Sequence, residues 1–266
     1  MNQRSTILLK VVLFTIIFIV LFIGLCFLKN NIPSQYERLA HGLIGTLAAL
    51  LTSAAFIKFD GISFNAIGLR WEHATIPRFL IGILVAATIM GGLTILVIAL
   101  QGLTITKNEN NNGIYFLLNA LPLLPLAFME EVAFRGYTLQ TLKQKFTTPI
   151  AIIFTAFLFA VYHVVNGWSL QNAFMGAGCW GLVFGVSAVY SNGIAMPTGL
   201  HVAANFITSL FGTTAQGVHL FHLQSHNSNN INDLQTSTLL TVIPQIIVLL
   251  IGMVGIVWVN KKQPIK

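Results

Sequence analysis

Charge is the property that this sequence has least of. Only 7 of its 266 residues are acidic and 14 are lysine or arginine, so charged residues make up 8% of the chain, against 55% hydrophobic residues. A soluble globular domain carries about 25% charged residues, and the mean hydropathy here is +0.80. These values exclude a soluble fold and predict an integral membrane protein. The net charge of +7 therefore indicates topology determinants and contacts with anionic lipid, and no nucleic-acid partner is expected.

Cysteine is scarce too, with only Cys26 and Cys179, both inside apolar runs. Two isolated cysteines argue against a disulfide framework, and no CxxC or Cys/His zinc pattern is present. The sequence also lacks an HExxH motif and any serine or cysteine with an adjacent base. A covalent acyl-enzyme is therefore not expected.

Long apolar runs are what the chain has instead. A membrane span needs about 20 mostly apolar residues, and eight candidate spans satisfy this requirement. They are residues 7–28, 39–57, 79–100, 114–142, 149–166, 170–190, 194–212 and 239–259. No internal repeat or soluble domain is visible, and the Asn-rich connectors 101–113 and 213–238 are expected to be mobile. The prediction is an all-α, polytopic helical bundle of about eight transmembrane helices, formed by a single domain over residues 1–266.

Lysine and arginine are distributed unevenly between the two sides that eight spans define. With the N-terminus inside, ten of these residues lie in cytoplasmic segments and three lie outside, while Arg135 lies within a span. Cytoplasmic segments of membrane proteins carry an excess of lysine and arginine. The distribution therefore predicts an integral cell-membrane protein, in a bacterial plasma membrane, with both termini cytoplasmic.

Ionisable and amide side chains inside the spans are the candidates for function. A charge at the centre of a span costs about 2.5–3.5 kcal/mol on insertion scales, so such residues are rarely retained without a role. The candidates are Glu130, Glu131, Arg135, His163, His201 and Asn205.

The two adjacent glutamates are expected to differ. On an α-helix Glu131 and Arg135 are neighbours one turn apart and can form an ion pair, which would neutralise and position the helix. Glu130 is about 140° away from Arg135 around the helix, so it must find its partner on another helix. The alternative for Glu130 is a hydrogen bond to a neighbouring backbone or polar group, but a role in chemistry is the favoured interpretation.

Two further spans each carry a histidine with a partner one helical turn away. Phe159 and His163 share a face, so an aromatic ring covers one side of the imidazole. His201 and Asn205 also share a face and supply donors aimed at one point. A histidine alone in a span is often only a hydrogen bonder between helices. Because burying these polar groups separately would cost several kcal/mol, we expect the three spans to converge on one intramembrane cavity.

Taken together, these residues form the patterns EExxxR (Glu130, Glu131, Arg135), FxxxH (Phe159, His163) and HxxxN (His201, Asn205), in this order on separate spans. The sequence thereby resembles the CPBP family, which comprises the CAAX proteases and the bacteriocin-processing, Abi-type intramembrane proteases. The resemblance extends to "GLRW" at 68–71 and to the Gly-rich 176–185, and it covers roughly 114–210 well.

The resemblance implies an eight-span bundle that cleaves peptide bonds in or near the bilayer. It implies that Glu130 is the general base that activates water, and that His163 holds this water and shuttles its proton. His201 and Asn205 would donate to the oxyanion. Glu131 and Arg135 would be supporting residues that orient His163 and the helix.

Metal dependence is left open by the residues. Glu130, His163 and His201 would make a two-histidine, one-carboxylate set adequate for a catalytic zinc, and family members have been called metalloproteases. Water activated by glutamate and histidine needs no metal, so the prediction is that no cofactor is required, with zinc as the alternative.

Two other function classes remain at this point: a catalytically silent membrane scaffold or bacteriocin-immunity protein, and a proton-coupled transporter. The lack of repeated halves with broken helices disfavours the transporter. The favoured prediction is an intramembrane endopeptidase acting on a membrane-associated peptide or protein. Substrate, cleavage site and oligomeric state are not determined by the sequence.

Overall fold

The apolar runs form a helical bundle in the computed structural model, which describes residues 2–212, 218–225 and 238–262. The α-helices are α1 (Gln3–Cys26), α2 (Glu37–Asp60), α3 (Thr75–Gln101), α4 (Gly113–Ala120), α5 (Leu123–Glu131), α6 (Leu139–Leu142), α7 (Thr148–Val165), α8 (Cys179–Ser191), α9 (Ala195–Leu210) and α10 (Thr238–Lys262). Short 3₁₀ turns cover Phe27–Asn31, Ser34–Tyr36 and Phe64–Ile67, and π-helical segments cover Val132–Thr138 and Asn172–Gly178.

Seven helical stretches in the described residues are long and apolar enough to cross a membrane. One of them, Gly113–Leu142, joins α4, α5, the first π segment and α6 into a single run of 30 residues. The predicted span 170–190 begins as the π segment Asn172–Gly178 and continues as α8. The predicted all-α, polytopic bundle is confirmed.

The predicted span 194–212 is the exception in length. It forms α9, whose 16 residues extend about 24 Å at 1.5 Å per residue, less than the roughly 30 Å of a bilayer's hydrocarbon core. The helix nonetheless lies in the bundle, and the first half, up to His201, is almost entirely buried. Contacts with neighbouring helices therefore hold α9 in the bundle, although the helix is shorter than the hydrocarbon core.

The connector 101–113 is more ordered than the sequence predicted. Its residues Leu103–Lys107 form β1, which pairs antiparallel with β2 (Phe221–Ser225) in the register Leu103 to Ser225. Residues 213–217 and 226–237 of the second connector lie outside the described part of the chain. We call the end of the bundle that carries β1 and β2 the sheet face, and the opposite end the basic face.

Contacts between connectors show that successive helices alternate between these two faces. On the basic face the Arg4 guanidinium lies 6.0 Å from the Phe146 ring centroid, and the Ile194 amide donates to the Gly68 carbonyl at 3.3 Å. Tyr190, at the end of α8, packs on Trp258 of α10 with ring centroids 5.1 Å apart. The start of α1 and the end of α10 therefore lie at the same face.

Lysine and arginine are concentrated at that face. Nine of those in the described residues lie there: Arg4, Lys10, Lys58, Arg70, Arg78, Lys143, Lys145, Lys261 and Lys262. Three lie at the sheet face: Lys29, Arg38 and Lys107.

A polar network fastens α1 and α2 to the π segment at the basic face. Asp60, at the end of α2, forms an ion pair with Lys10 and accepts a hydrogen bond of 2.7 Å from the Tyr137 hydroxyl. The fully buried Tyr137 ring also stacks on Phe14 of α1 at 4.8 Å. These contacts fix the chain immediately after the EExxxR motif.

Two glycines allow α3 and α9 to pack with their backbones in contact. A Cβ atom on Gly82 would lie 2.1 Å from the Met196 carbonyl oxygen, and one on Gly199 would lie 2.0 Å from the Phe79 carbonyl oxygen. Both distances are far inside van der Waals contact with main-chain atoms that cannot rotate away. Small residues at helix interfaces commonly permit such close approach in membranes, and here they hold α9 in position for His201.

We expect Gly82→Ala to lower the free energy of unfolding by about 1–3 kcal/mol, the usual effect of overpacking, because the added methyl group would push α3 and α9 apart. Gly91→Ala is the matched control, since a Cβ on Gly91 of the same helix meets nothing within 4 Å. Thermal unfolding of the purified protein in detergent measures both. Equal midpoints for the two variants would contradict the close packing.

Candidate active site

A buried ion pair lies at the centre of the polar residues. Glu131, the last residue of α5, and Arg135 both have side chains with 0% exposure, and Arg135 Nη1 lies 3.4 Å from Glu131 Oε1. Arg135 Nη2 donates to the Gly181 carbonyl oxygen of α8 at 3.1 Å. The guanidinium also lies over the rings of Phe159, at 4.4 Å, and Phe184, at 5.2 Å. These contacts replace the water that the charge has lost.

The backbone that carries Arg135 is π-helical rather than α-helical. The segment Val132–Thr138 contains Gly136 with φ −74° and ψ −112°, which breaks the regular helix, and Thr138 Oγ1 donates to the Ala133 carbonyl at 2.6 Å. Such π segments occur frequently at functional sites because they redirect side chains. The sequence analysis assumed uniform α geometry here, so it placed the ion pair correctly but missed the change in helix type.

His201 of α9 lies between the two glutamates. Its Nδ1 lies 2.9 Å from Glu131 Oε1, and since a carboxylate only accepts, Nδ1 is the donor. Its Nε2 lies 3.6 Å from Glu130 Oε2. The imidazole stacks on Phe184 with centroids 4.4 Å apart and an interplanar angle of 19°. The resemblance implied that Glu131 and Arg135 orient His163, but in the structure the histidine that Glu131 contacts is His201.

His163, near the end of α7, is fixed by aromatic rings. Its Nδ1 lies 2.9 Å from the Phe159 carbonyl oxygen and must donate to it, which leaves the Nε2 lone pair as the acceptor. Its ring makes edge contacts with Phe159 at 4.5 Å, Tyr162 at 5.3 Å and Trp168 at 4.6 Å. Phe159 also contacts His201, at 6.1 Å, so one phenyl ring lies between the two histidines.

Tyr162 and Trp168 were missed by sequence reasoning. Both are aromatic and unremarkable within an apolar run, and Trp168 lies in a turn beyond the helix end. The only available signal was the Asn166–Gly167 pair, since Gly167 adopts φ +90°, a value that suits glycine. This turn lets the Trp168 amide donate to the His163 carbonyl at 3.0 Å.

Solvent access separates the site residues into two groups. Glu131 and Arg135 are fully buried, whereas the Glu130 side chain keeps 13% exposure. Asn205, one helical turn beyond His201, is half-buried. Glu130 and Asn205 are therefore the candidate residues with accessible surface, whereas Glu131 and Arg135 are enclosed by the bundle.

The zinc alternative concerns the same three residues, Glu130, His163 and His201. Within residues 2–212, 218–225 and 238–262, no three His, Cys, Asp or Glu side chains come together as a metal-binding group. Nδ1 of His163 contacts a carbonyl and Nδ1 of His201 contacts Glu131, so a metal would use the two Nε2 atoms and the Glu130 carboxylate. His219, His222 and His226 of the connector 213–238 are a second group of histidines that a metal could use. His219 Nε2 and His222 Nδ1 lie 3.2 Å apart at the sheet face, and His226 lies outside the described residues.

One known protein family matches the part of the chain that carries the residues of this site. Residues 111–207 match the family model of type II CAAX prenyl endopeptidases, described as Rce1-like. This confirms the resemblance of this segment to that family, and we call residues 111–207 the Rce1-like core. It runs from the start of α4 into α9 and contains all three motifs, while α1, α2, α3 and α10 lie outside the match. No curated protein matches the chain significantly.

The Rce1-like core supplies every charged or imidazole group of the candidate active site. Glu130, Glu131 and Arg135 come from α5 and the π segment, His163 comes from α7 and His201 comes from α9. The flanking helices contribute packing: α3 fixes α9, and α1 and α2 fix the π segment. The apolar helices support a membrane location, and the match shows that residues 111–207 are similar to the CAAX prenyl endopeptidases.

We expect Arg135→Gln to destabilise the protein by about 3–5 kcal/mol, because it leaves the buried Glu131 carboxylate without its charge partner. Lys107→Gln is the control, since its ion pair with Glu109 is solvent-exposed and such pairs contribute little. Chemical unfolding in mixed micelles measures both. A similar decrease in the free energy of unfolding for the two variants would show that the central ion pair has no special role.

Proposed function

We propose that this protein is an intramembrane endopeptidase that hydrolyses a peptide bond of a membrane-associated peptide or protein. The observation that carries the proposal is the position of His201 between Glu130 and Glu131, inside an Rce1-like core. One carboxylate is buried and committed to the scaffold, and the other is partly exposed. The partly exposed Glu130 can therefore act as a general base beside an imidazole that the buried Glu131 holds in place.

Charge balance sets the resting state of the site. Glu130, Glu131 and Arg135 together carry one uncompensated negative charge, which is expensive in a water-poor interior. A proton on His201 removes it, with Nδ1–H directed to Glu131 and Nε2–H directed toward Glu130. We take a Glu130 carboxylate beside a doubly protonated His201 as the reactive form, because both ring nitrogens of His201 face carboxylates.

The reaction begins with a water molecule held between Glu130 and Nε2 of His163. Glu130 accepts a proton from this water as the water oxygen forms a bond to the scissile carbonyl carbon. The carbonyl electron pair moves onto the oxygen, where the Nε2–H of His201 and the amide of Asn205 stabilise the developing charge. Such donors act strongly in a site that excludes bulk water.

Collapse of the tetrahedral intermediate breaks the C–N bond. The leaving nitrogen takes the proton that Glu130 received, so the Glu130 carboxylate is restored and the products are a carboxylic acid and an amine, which exchange a proton to give a carboxylate and an ammonium. His163 assists the transfer as a hydrogen-bond partner of the water, because its Nδ1 donates to the Phe159 carbonyl and its Nε2 is left as an acceptor. Every group required is a side chain of this chain, and no metal enters the steps.

The membrane setting determines the substrate class at a coarse level. A site surrounded by apolar helices acts on segments that lie in or against the bilayer. We further propose that the protein resides in a bacterial plasma membrane with both ends of the chain cytoplasmic, because the basic face carries nine of the lysines and arginines described. The substrate would then be a signalling peptide, a bacteriocin leader or a membrane-protein tail. A bacteriocin-immunity role would follow from cleavage of such a peptide.

We expect Glu130→Gln to lower the rate of cleavage by about 10²–10⁴-fold, the usual contribution of a general base, with unchanged thermal stability. The assay uses quenched-fluorescence peptides in detergent micelles, with prenylated and unprenylated versions of one CAAX peptide. Glu109→Gln, at the solvent-exposed ion pair of the sheet face, is the matched control. Chelator is added in a parallel series.

Unchanged cleavage by Glu130→Gln would remove Glu130 from the catalytic machinery and favour a silent scaffold. Activity lost with chelator and restored by zinc would replace the metal-free steps by a metal-dependent reaction.

We expect Asn205→Ala to reduce kcat by about 10²-fold while leaving KM nearly unchanged, because a donor to the oxyanion acts mainly in the transition state. Ser209→Ala, one turn further along α9, is the control. Full kinetic curves on the same peptides separate the two parameters. A change in KM alone would make Asn205 a substrate-binding residue.

A further inference from the structure

We propose that the basic face binds an anionic phospholipid, whose phosphate lies between Arg70 and Arg78 and whose acyl chains pack on Trp71. The three residues belong to the connector between α2 and α3 (residues 61–74) and to the first turn of α3. The proposed peptidase reaction uses none of them, so the inference stands independently of that function. Four features carry it: the outward position of Arg70 and Trp71, a carboxylate shared by two arginines, the level of the connector in the membrane and its attachment to α9.

The stretch GLRW at 68–71 divides into an inner half and an outer half. Gly68 is buried with φ +79°, and its carbonyl oxygen accepts a hydrogen bond of 3.3 Å from the Ile194 amide, next to the start of α9. Trp71, three residues further on, keeps 81% of its surface exposed. The packing of the bundle therefore accounts for Gly68 but not for Arg70 and Trp71.

Arg70 and Arg78 converge on one carboxylate oxygen. Arg70 Nε lies 3.3 Å from Glu72 Oε1, and Arg78 Nη1 contacts the same oxygen. In the described part of the chain, no other carboxylate pairs with two lysine or arginine side chains. A guanidinium has five N–H donors and no acceptor, so Glu72 uses only a few of the donors of this pair. The cluster carries one surplus positive charge, and all three side chains are about one-third exposed.

A phosphate group matches the donors that Glu72 leaves over. Arginine binds phosphate oxygens through two parallel N–H donors, and two guanidiniums held side by side can take both free oxygens of one phosphodiester. Lys58, exposed near the end of α2, adds positive charge at the same face. Clusters of lysine and arginine beside membrane spans attract anionic phospholipids. The surplus charge therefore indicates an anionic ligand.

The connector lies at the level of the lipid headgroups. One stretch long and apolar enough to cross a membrane ends at Asp60 and the next begins at Thr75, so residues 61–74 lie at the membrane boundary. Tryptophan is enriched at this boundary, because its indole has an apolar body and a polar N–H group. Phe59, in the last turn of α2, is 82% exposed in addition to Trp71. Acyl chains would cover both rings, whereas a free phosphate would leave them uncovered.

A lipid bound here would stabilise the bundle. A Cβ on Gly68 would lie only 3.1 Å from the Gly193 Cα atom, so the connector is in backbone contact with the segment that leads into α9. Arg78 lies one turn before Gly82, where α3 packs closely on α9. A phosphate that links Arg70 to Arg78 would therefore join the two parts of the chain that hold α9. The thermal midpoint of unfolding reports such binding.

Lipid binding to the purified protein in detergent tests the site. The protein is titrated with dioleoyl phosphatidylglycerol, dioleoyl phosphatidylcholine or sodium phosphate, native mass spectrometry counts bound lipid, and a thermal scan gives the midpoint. We expect phosphatidylglycerol to remain bound and to raise the midpoint by about 3 °C or more, and phosphatidylcholine to do neither. The double variant Arg70→Gln/Arg78→Gln should bind phosphatidylglycerol about 10-fold more weakly, because both cations at the phosphate are lost.

Further variants serve as controls. Glu72→Gln removes the competing carboxylate and keeps both arginines, so it should bind phosphatidylglycerol at least as tightly as the unchanged protein. Lys261→Gln/Lys262→Gln removes the same number of charges from the basic face and should leave binding unchanged. Trp71→Ala should weaken lipid binding about 5-fold. If the double arginine variant does not fold, Arg70→Gln alone, which leaves the Arg78–Glu72 pair intact, should weaken binding about 5-fold.

Equal binding of the two lipids, or undiminished binding by the arginine variants, would overturn the site. A similar loss in Lys261→Gln/Lys262→Gln would show that charge spread over the basic face attracts the lipid, without a local site. If Glu72→Gln loses binding as the arginine variants do, the cluster only maintains the fold of the connector. Equal stabilisation by sodium phosphate, unchanged in Trp71→Ala, would replace the lipid by a free phosphate.

Discussion

The buried carboxylate of Glu131 is the interaction on which the rest of the site depends. It holds the Arg135 guanidinium on one side and Nδ1 of His201 on the other, so it joins the π segment to α9. An isolated carboxylate in such surroundings would cost several kcal/mol. Arg135 and His201 meet this requirement together, and the geometry that results turns Nε2 of His201 toward Glu130.

Several unrelated features of the fold serve this one arrangement. Glycines at 82 and 199 bring α3 against α9 and so set the depth of His201. The network of Tyr137, Asp60 and Lys10 anchors the chain that leaves the π segment. Rings of Phe159 and Phe184 cover Arg135 and separate the histidines from lipid. Bulk packing thus keeps three charged or chargeable groups dry and fixed, which is the condition under which such groups act strongly.

Much of the fold and of the candidate site could be predicted from the sequence, because the membrane interior restricts which residues a span can carry. Few polar residues are retained in apolar spans, so those that remain form a short set of candidates, and the three motifs lie in an Rce1-like core as the resemblance indicated. What escaped prediction depended on contacts distant in sequence. The strand in the connector 101–113 pairs with a strand more than 100 residues away. The contact of Trp168 with His163 requires a turn that folds the chain back onto the end of its helix.

The sequence by itself determined that this is a helical membrane protein and which polar residues lie within the spans. It also determined which of these residues are neighbours one turn apart on the same helix. The reason is that desolvation acts on each residue locally, whatever the fold. Only the tertiary structure decided that Glu131 contacts His201 rather than His163, and that the Phe159 ring contacts both histidines. Those outcomes depend on how helices approach one another, and the backbone contacts of small residues and the change to π geometry after Glu131 set that approach.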